Sequence, residues 1–269
     1  DATLEAWQMG AVDFIPKPSG AISVDLYQVK DELIAKVKAA AGSKVRSLTF
    51  PRRMTGARIS SMAQRRENHK PRPMITQIVA IGTSTGGPKA LEAVITALPA
   101  DFAHPVLVVQ HMPPKFTQSL AQRLDKQSNV KVVEASHDEQ IEGGTVYIAP
   151  GNYHMTVVRR GGQLRIALHQ QPPRNGHRPS VDVMFESVTM LTDVKKHYVL
   201  MTGMGSDGAA AMEEAKRQGA VSTIAESEET CVVYGMPKSA IDKHCVDYVV
   251  PLHQIAKKIT EITGGGLHT

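Results

Sequence analysis

Cysteine is nearly absent from these 269 residues: there are two, Cys231 and Cys245. That is too few for a disulfide framework and fits a reducing compartment. No apolar run approaches the ~20 residues that a membrane span needs. The opening residues, DATLEAWQMG, carry two acids and lack the charged-then-apolar pattern of a secretion signal. Metal-site patterns are missing too, since the cysteines stand apart without paired spacing and no H-E-x-x-H occurs. These absences lead us to expect a cytoplasmic protein with no membrane span and no metal in its main domain.

What is present begins with charge. The chain is net +5, but between 42 and 75 nine Lys/Arg face the single acid Glu67, so this segment carries the whole positive excess. Its three prolines, few aromatics and lack of periodicity describe a solvated basic linker rather than a nucleic-acid-binding fold. A nucleic-acid binder would show salt-sensitive binding that disappears when this segment is deleted. Residues 1–41 read as helix, short strand (AVDFI, 11–15), loop and helix, with Leu26, Val29, Leu33, Ile34 and Val37 at helical spacing. Forty such residues cannot bury a core alone.

Residues 76–269 alternate strands and helices, as in a mostly parallel, doubly wound α/β sheet with helices on both faces. Strands are expected at 77–82, 105–110, 145–150, 197–202 and 220–225, several as continuous apolar runs. Helices fit at 88–97, 115–127, 181–192, 208–218 and 251–262. Two alternating runs around Gly161-Gly162 signal an antiparallel hairpin.

Reactive side chains cluster at three expected strand ends, where open parallel sheets gather function. Gly82, Ser84 and Gly86 satisfy G-x-S-x-G, a tight turn that exposes a serine hydroxyl beside a helix N-terminus able to face an oxyanion. A helix-capping serine and a phosphate loop are the other readings of that pattern. GK[ST] and G-x-G-x-x-G spacing are both absent. His111 ends the second strand just before Met112-Pro113-Pro114, which restrain its backbone. Eleven histidines occur, and His154 and His177 are weaker candidates for a base. Asp207 lies in Thr202-Gly203-Met204-Gly205-Ser206-Asp207-Gly208, either as the cap of the following helix or as the acid that orients a base. Cys231 reads as a small buried residue. A catalytically silent module, its glycine loops holding a nucleotide or phosphate, would need none of these three polar residues together.

Six ordered segments carry a likeness: IGTSTGGPKAL, VVQHMPPKFTQSLAQRL, YIAPGNYHM, RPSVDVMFESV, MTGMGSDGAAAM and VVYGMPKSAI. Together they resemble the catalytic domain of chemotaxis response-regulator protein-glutamate methylesterases across nearly all of 76–269. The resemblance implies Ser84 as nucleophile, His111 as base and Asp207 as orienting acid, with oxyanion donors near Thr85 and Met204 and Arg178 helping to form the cleft. It implies hydrolysis of glutamate methyl esters on methyl-accepting chemotaxis receptors, with glutamine deamidation as a second activity and no cofactor for the catalytic domain. Within GAVDFIPKP, Lys17 is similar to the phosphoryl-contacting lysine of a receiver domain. On that likeness 1–41 is expected to be the end of a truncated receiver. Its acceptor aspartate, divalent-metal site and meeting point with a chemotaxis histidine kinase would then lie upstream. An esterase serving another signalling pathway's receptors fits the same residues.

Overall fold

A computed structural model describes residues 11–15, 29–42 and 74–264. Lys17 and almost all of the basic segment fall outside those residues. Seven parallel strands form the central sheet, in the order β3-β4-β2-β1-β7-β8-β9. They are β1 (Gln77–Thr83), β2 (Val106–Gln110), β3 (Lys131–Glu134), β4 (Thr145–Ile148), β7 (Lys195–Leu200), β8 (Ser222–Glu226) and β9 (Tyr248–Val250). A separate antiparallel hairpin joins β5 (His154–Arg160) to β6 (Gln163–His169) through Gly161-Gly162, as expected. The helices are α1 (Lys30–Gly42), α2 (Gly87–Ile95), α3 (Phe116–Gln127), α4 (Val181–Thr189), α5 (Ala209–Arg217), α6 (Met236–Asp242) and α7 (Leu252–Ile262).

The continuous apolar runs arise because the sheet is covered on both faces. Along β1, Ile78 and Ala80 join α4, α5, α6 and the hairpin in one core, whereas Val79 and Ile81 join α2, α3 and α7 in the other. Met155, Val157, Leu164 and Ile166 turn the hairpin's apolar face onto Met184, Phe185 and Val188 of α4. Strands β3 and β9 and helix α6 went unpredicted. Both strands are edge strands of three or four residues, and α6 buries only Met236, Pro237 and Ala240 in seven positions, so none carries a sustained period.

Residues 11–15, expected as a strand, take no regular element. A strand needs a partner ladder, and among the described residues none lies beside them. Helix α1 does form, but Leu33, Ile34 and Val37 of its apolar stripe stay exposed.

The order of the sheet positions the site. From β1 the chain goes to β2, on to β3 at the edge and back to β4 between them, then crosses to place β7 on the other side of β1. The carboxyl ends of β1, β2 and β7 therefore meet at the point where the strand order reverses, which is where such sheets open a crevice.

Candidate active site

Strand register sets the first contacts. Thr83 pairs with Gln110 and Gly82 with Leu200, so the next residues, Ser84 and His111, stand side by side with Thr202 flanking Ser84. The ladder runs on past the strands: His111 N–H donates to Thr83 O at 3.1 Å, and Ser84 N–H to Thr202 O at 3.0 Å. Gly86 then turns the chain with φ 80°, a conformation a side chain rarely adopts. Pro88 lies in the first turn of α2. Gly203 brings the β7 loop against the serine, since a Cβ there would lie 2.8 Å from Ser84 Cβ.

The His111 imidazole is almost wholly buried, and its Nε2 lies 2.8 Å from Asp207 Oδ2. Its Nδ1 is buried and makes no hydrogen bond. Asp207 thus takes one ring nitrogen and the other is left without a hydrogen bond, an arrangement that a base serving a neighbouring hydroxyl requires. His177 stacks on this ring with centroids 3.7 Å apart and planes 10° from parallel. Burial, then the neighbouring His111, push His177 down to about 4, so a neutral ring covers the His111 imidazole near neutral pH.

Asp207 does not cap its own helix α5. Its carboxylate sits at the N-terminus of α4 instead, accepting from Val181 N–H at 2.7 Å and Asp182 N–H at 3.2 Å. The Ser180 hydroxyl donates to it at 2.9 Å and the Asn175 amide at 3.2 Å. Burial opposes its charge, but the His111 hydrogen bond and charge, Val181 N–H and Ser180 outweigh burial and hold the carboxyl well below the usual range.

Thr85 is buried; its carbonyl accepts from the Thr202 hydroxyl at 2.9 Å. Among the described residues, the N–H groups of Thr85, Gly86 and Met204 donate to no partner. The Thr85 hydroxyl donates to Asp13 Oδ2 at 2.6 Å, and Phe14 packs on Phe116 with ring centroids 4.7 Å apart. Residues 13 and 14 thus rest on the rim of the site. The Arg178 guanidinium donates to Asn152 Oδ1 and to the carbonyls of Gln170 and Gln171, so it ties these loop segments together.

Other residues of the site escaped the sequence reading. Glu226 is fully buried and holds Thr202 N–H at 2.8 Å, pinning the β7 loop from behind. Asp182, Asn175 and Ser180 surround the acid. The serine just ahead of the apolar run of α4 signals a helix start, yet nothing local shows that this start faces Asp207. Cys231 is half-buried, and burial pushes its thiol up, so it stays protonated and is no nucleophile. Among the described residues no group of three or more His, Cys, Asp or Glu is arranged to hold a metal, and no helix is long and apolar enough to cross a membrane.

Comparison with known proteins places these features in a family. The family model for CheB methylesterase matches residues 79–259. A protein-glutamate methylesterase/protein-glutamine glutaminase of Geobacillus kaustophilus is 51% identical over 263 residues, covering 97% of this chain and 73% of its own. The protein of the same name from Bacillus subtilis is 45% identical over 261 residues, again with 97% and 73% covered. The crystal structure of the Thermotoga maritima CheB methylesterase catalytic domain matches with a TM-score of 0.68 and 43% identity, over 70% of this chain and 98% of that one.

Proposed function

Because the chain belongs to the CheB methylesterase family, we propose that it hydrolyses methyl esters of glutamate side chains on methyl-accepting chemotaxis receptors, through Ser84, His111 and Asp207. One observation carries the reading. The serine and histidine share adjacent strand ends, and the histidine is bound to a buried carboxylate through one nitrogen while the other is left without a partner.

The reaction is a two-step acyl transfer. Ser84 Oγ attacks the ester carbonyl and passes its proton to His111 Nδ1. Thr85 and Met204 N–H groups stabilise the negative oxygen. Asp207 fixes the ring and stabilises its charged form. The imidazolium returns the proton to the departing methoxide, so methanol leaves and a serine ester of the glutamate side chain remains. Water, deprotonated by the same histidine, then frees the carboxylate and restores Ser84. A glutamine side chain enters the same path with ammonia as leaving group, which gives a deamidase activity.

Residues 1–41 read as the end of a receiver domain on the strength of GAVDFIPKP, and 42–75 as a tether. Control by receiver phosphorylation then has a physical handle, since Asp13 holds the Thr85 hydroxyl beside the nucleophile.

The test is methanol release from methylated cytoplasmic fragments of receptors. The chain should release methanol, and Ser84→Ala, with an unchanged circular dichroism spectrum, should lose at least about a thousandfold of the rate. No release by the parent chain from confirmed methylated receptor sinks the proposal.

A further inference from the structure

Behind His111 lie two carboxylates, not one. Asp182 and Asp207 are each 2% exposed, and each serves the helix that the other begins. Asp207, just before α5, accepts from Val181 and Asp182 N–H at the start of α4. Asp182, in the first turn of α4, accepts from Gly208 and Ala211 N–H at the start of α5, both at 3.0 Å through Oδ1. Asn175 spans the pair, its one amide nitrogen donating to Asp182 Oδ2 at 2.8 Å and to Asp207 Oδ1 at 3.2 Å. Every bond that Asp182 makes through its side chain is one it accepts, the pattern of an ionised carboxylate, although burial, and then the charge of Asp207, push its carboxyl above the usual range.

A structural role needs less than this. Either helix could be capped by a serine, as Ser180 already caps α4. Burying two like charges together is costly, and here two helix N-termini and a shared amide offset that cost. What the pair adds is a second carboxylate, joined through Asn175 to the one that binds the imidazole.

We propose that Asp182 is a positioning residue for the esterase reaction, acting with Asp207 as a paired negative charge that orients His111 and favours its protonated form in the transition state. The inference rests on the triad reading above. The other titratable and charged groups facing the assembly are His177 stacked on His111, His154 near Asp207, Arg174 and Lys243 near Asp182, and Lys36 near His177. Asp207 and Asp182 are the two carboxylates of the assembly itself.

Two variants of the full chain test it by the pH dependence of methanol release. Asp182→Asn keeps an acceptor for Gly208 and Ala211 but removes the charge. It should lower kcat about tenfold with KM within about twofold, and move the acid limb of the profile down by about half a pH unit. Asn175→Ala, on an exposed loop, removes the donor that partly neutralises both carboxylates and should move the same limb upward. Opposite shifts support the proposal. Two folded variants whose limbs coincide with the parent's overturn it and leave Asp182 a helix cap. If Asp182→Asn fails to fold, the direction of the Asn175→Ala shift decides. A parent chain that releases no methanol overturns the esterase reading itself, and this inference with it.

Discussion

At the scale of single residues the site turns on how one imidazole is held. Its edge is bound to Asp207 at 2.8 Å, its face is covered by His177 at 3.7 Å, and its free Nδ1 has no protein partner. His177 contributes a plane rather than a proton, because burial keeps it neutral down to about pH 4. His177→Phe should therefore keep activity within about threefold, whereas His177→Ala should lose about tenfold, the kinetic equivalent of ~1.4 kcal/mol of ring stacking. Steady-state methanol release by the two variants checks this. Equal losses in both would mean that His177 acts through its nitrogens. Ser84 and His111 stand out in the sequence as candidates because each directly ends an apolar run, whereas the stacking of His177 on His111 depends on a loop crossing 66 positions away and leaves no local trace.

At the scale of elements, three loops interlock at the carboxyl end of the sheet. Thr202 binds Glu226, Thr85 and Val233, and Gly203 lies against Ser84 with no room for a methyl group. Gly203→Ala should displace the serine from the histidine and lower kcat by about a hundredfold or more, since small misplacements of reacting groups carry losses of that order. Methanol release measured beside a thermal unfolding curve separates this from collapse of the fold. A variant with parent-like kcat would show that the loop yields without moving Ser84. The glycine-rich loop marks Asp207 as a candidate and the apolar spacing marks the helix at 181–192, but not that the one caps the other, because helix-to-helix capping joins residues that no periodicity connects.

At the scale of the whole molecule, acid stability follows from buried neutral histidines. His197 is fully buried between Ser222 and Gln77, bonding them at 2.8 and 3.0 Å, and so links β7 to β8 and β1. Burial, then His104 and Lys195, push it down to about 4, and His177 falls to about 4 as well. Unfolded histidines protonate near 6.5, so as pH falls the unfolded state takes up protons first. Stability is therefore full above about pH 6.5 and declines from there toward pH 4, where Asp207, whose carboxyl is depressed, begins to add its own loss. Unfolding midpoints measured between about pH 7 and about pH 4.5 should fall, and His197→Asn should flatten part of that slope. A slope unaltered in the variant would place the acid sensitivity elsewhere.

The parallel α/β sheet, the β5–β6 hairpin and the loops that carry Ser84, His111 and Asp207 are all readable in the order of residues. Burial on two faces writes continuous apolar runs, and tight turns demand glycine, so both are local facts. The tertiary structure alone decided the short edge strands β3 and β9 and the unpaired course of residues 11–15. It also decided which imidazole nitrogen meets the acid, and that Asp182 and Asp207 share one buried pocket. Those outcomes depend on strand register and on contacts between residues as far apart as Asp182 and Ala211. Packing settles such contacts only once the whole sheet has closed around them.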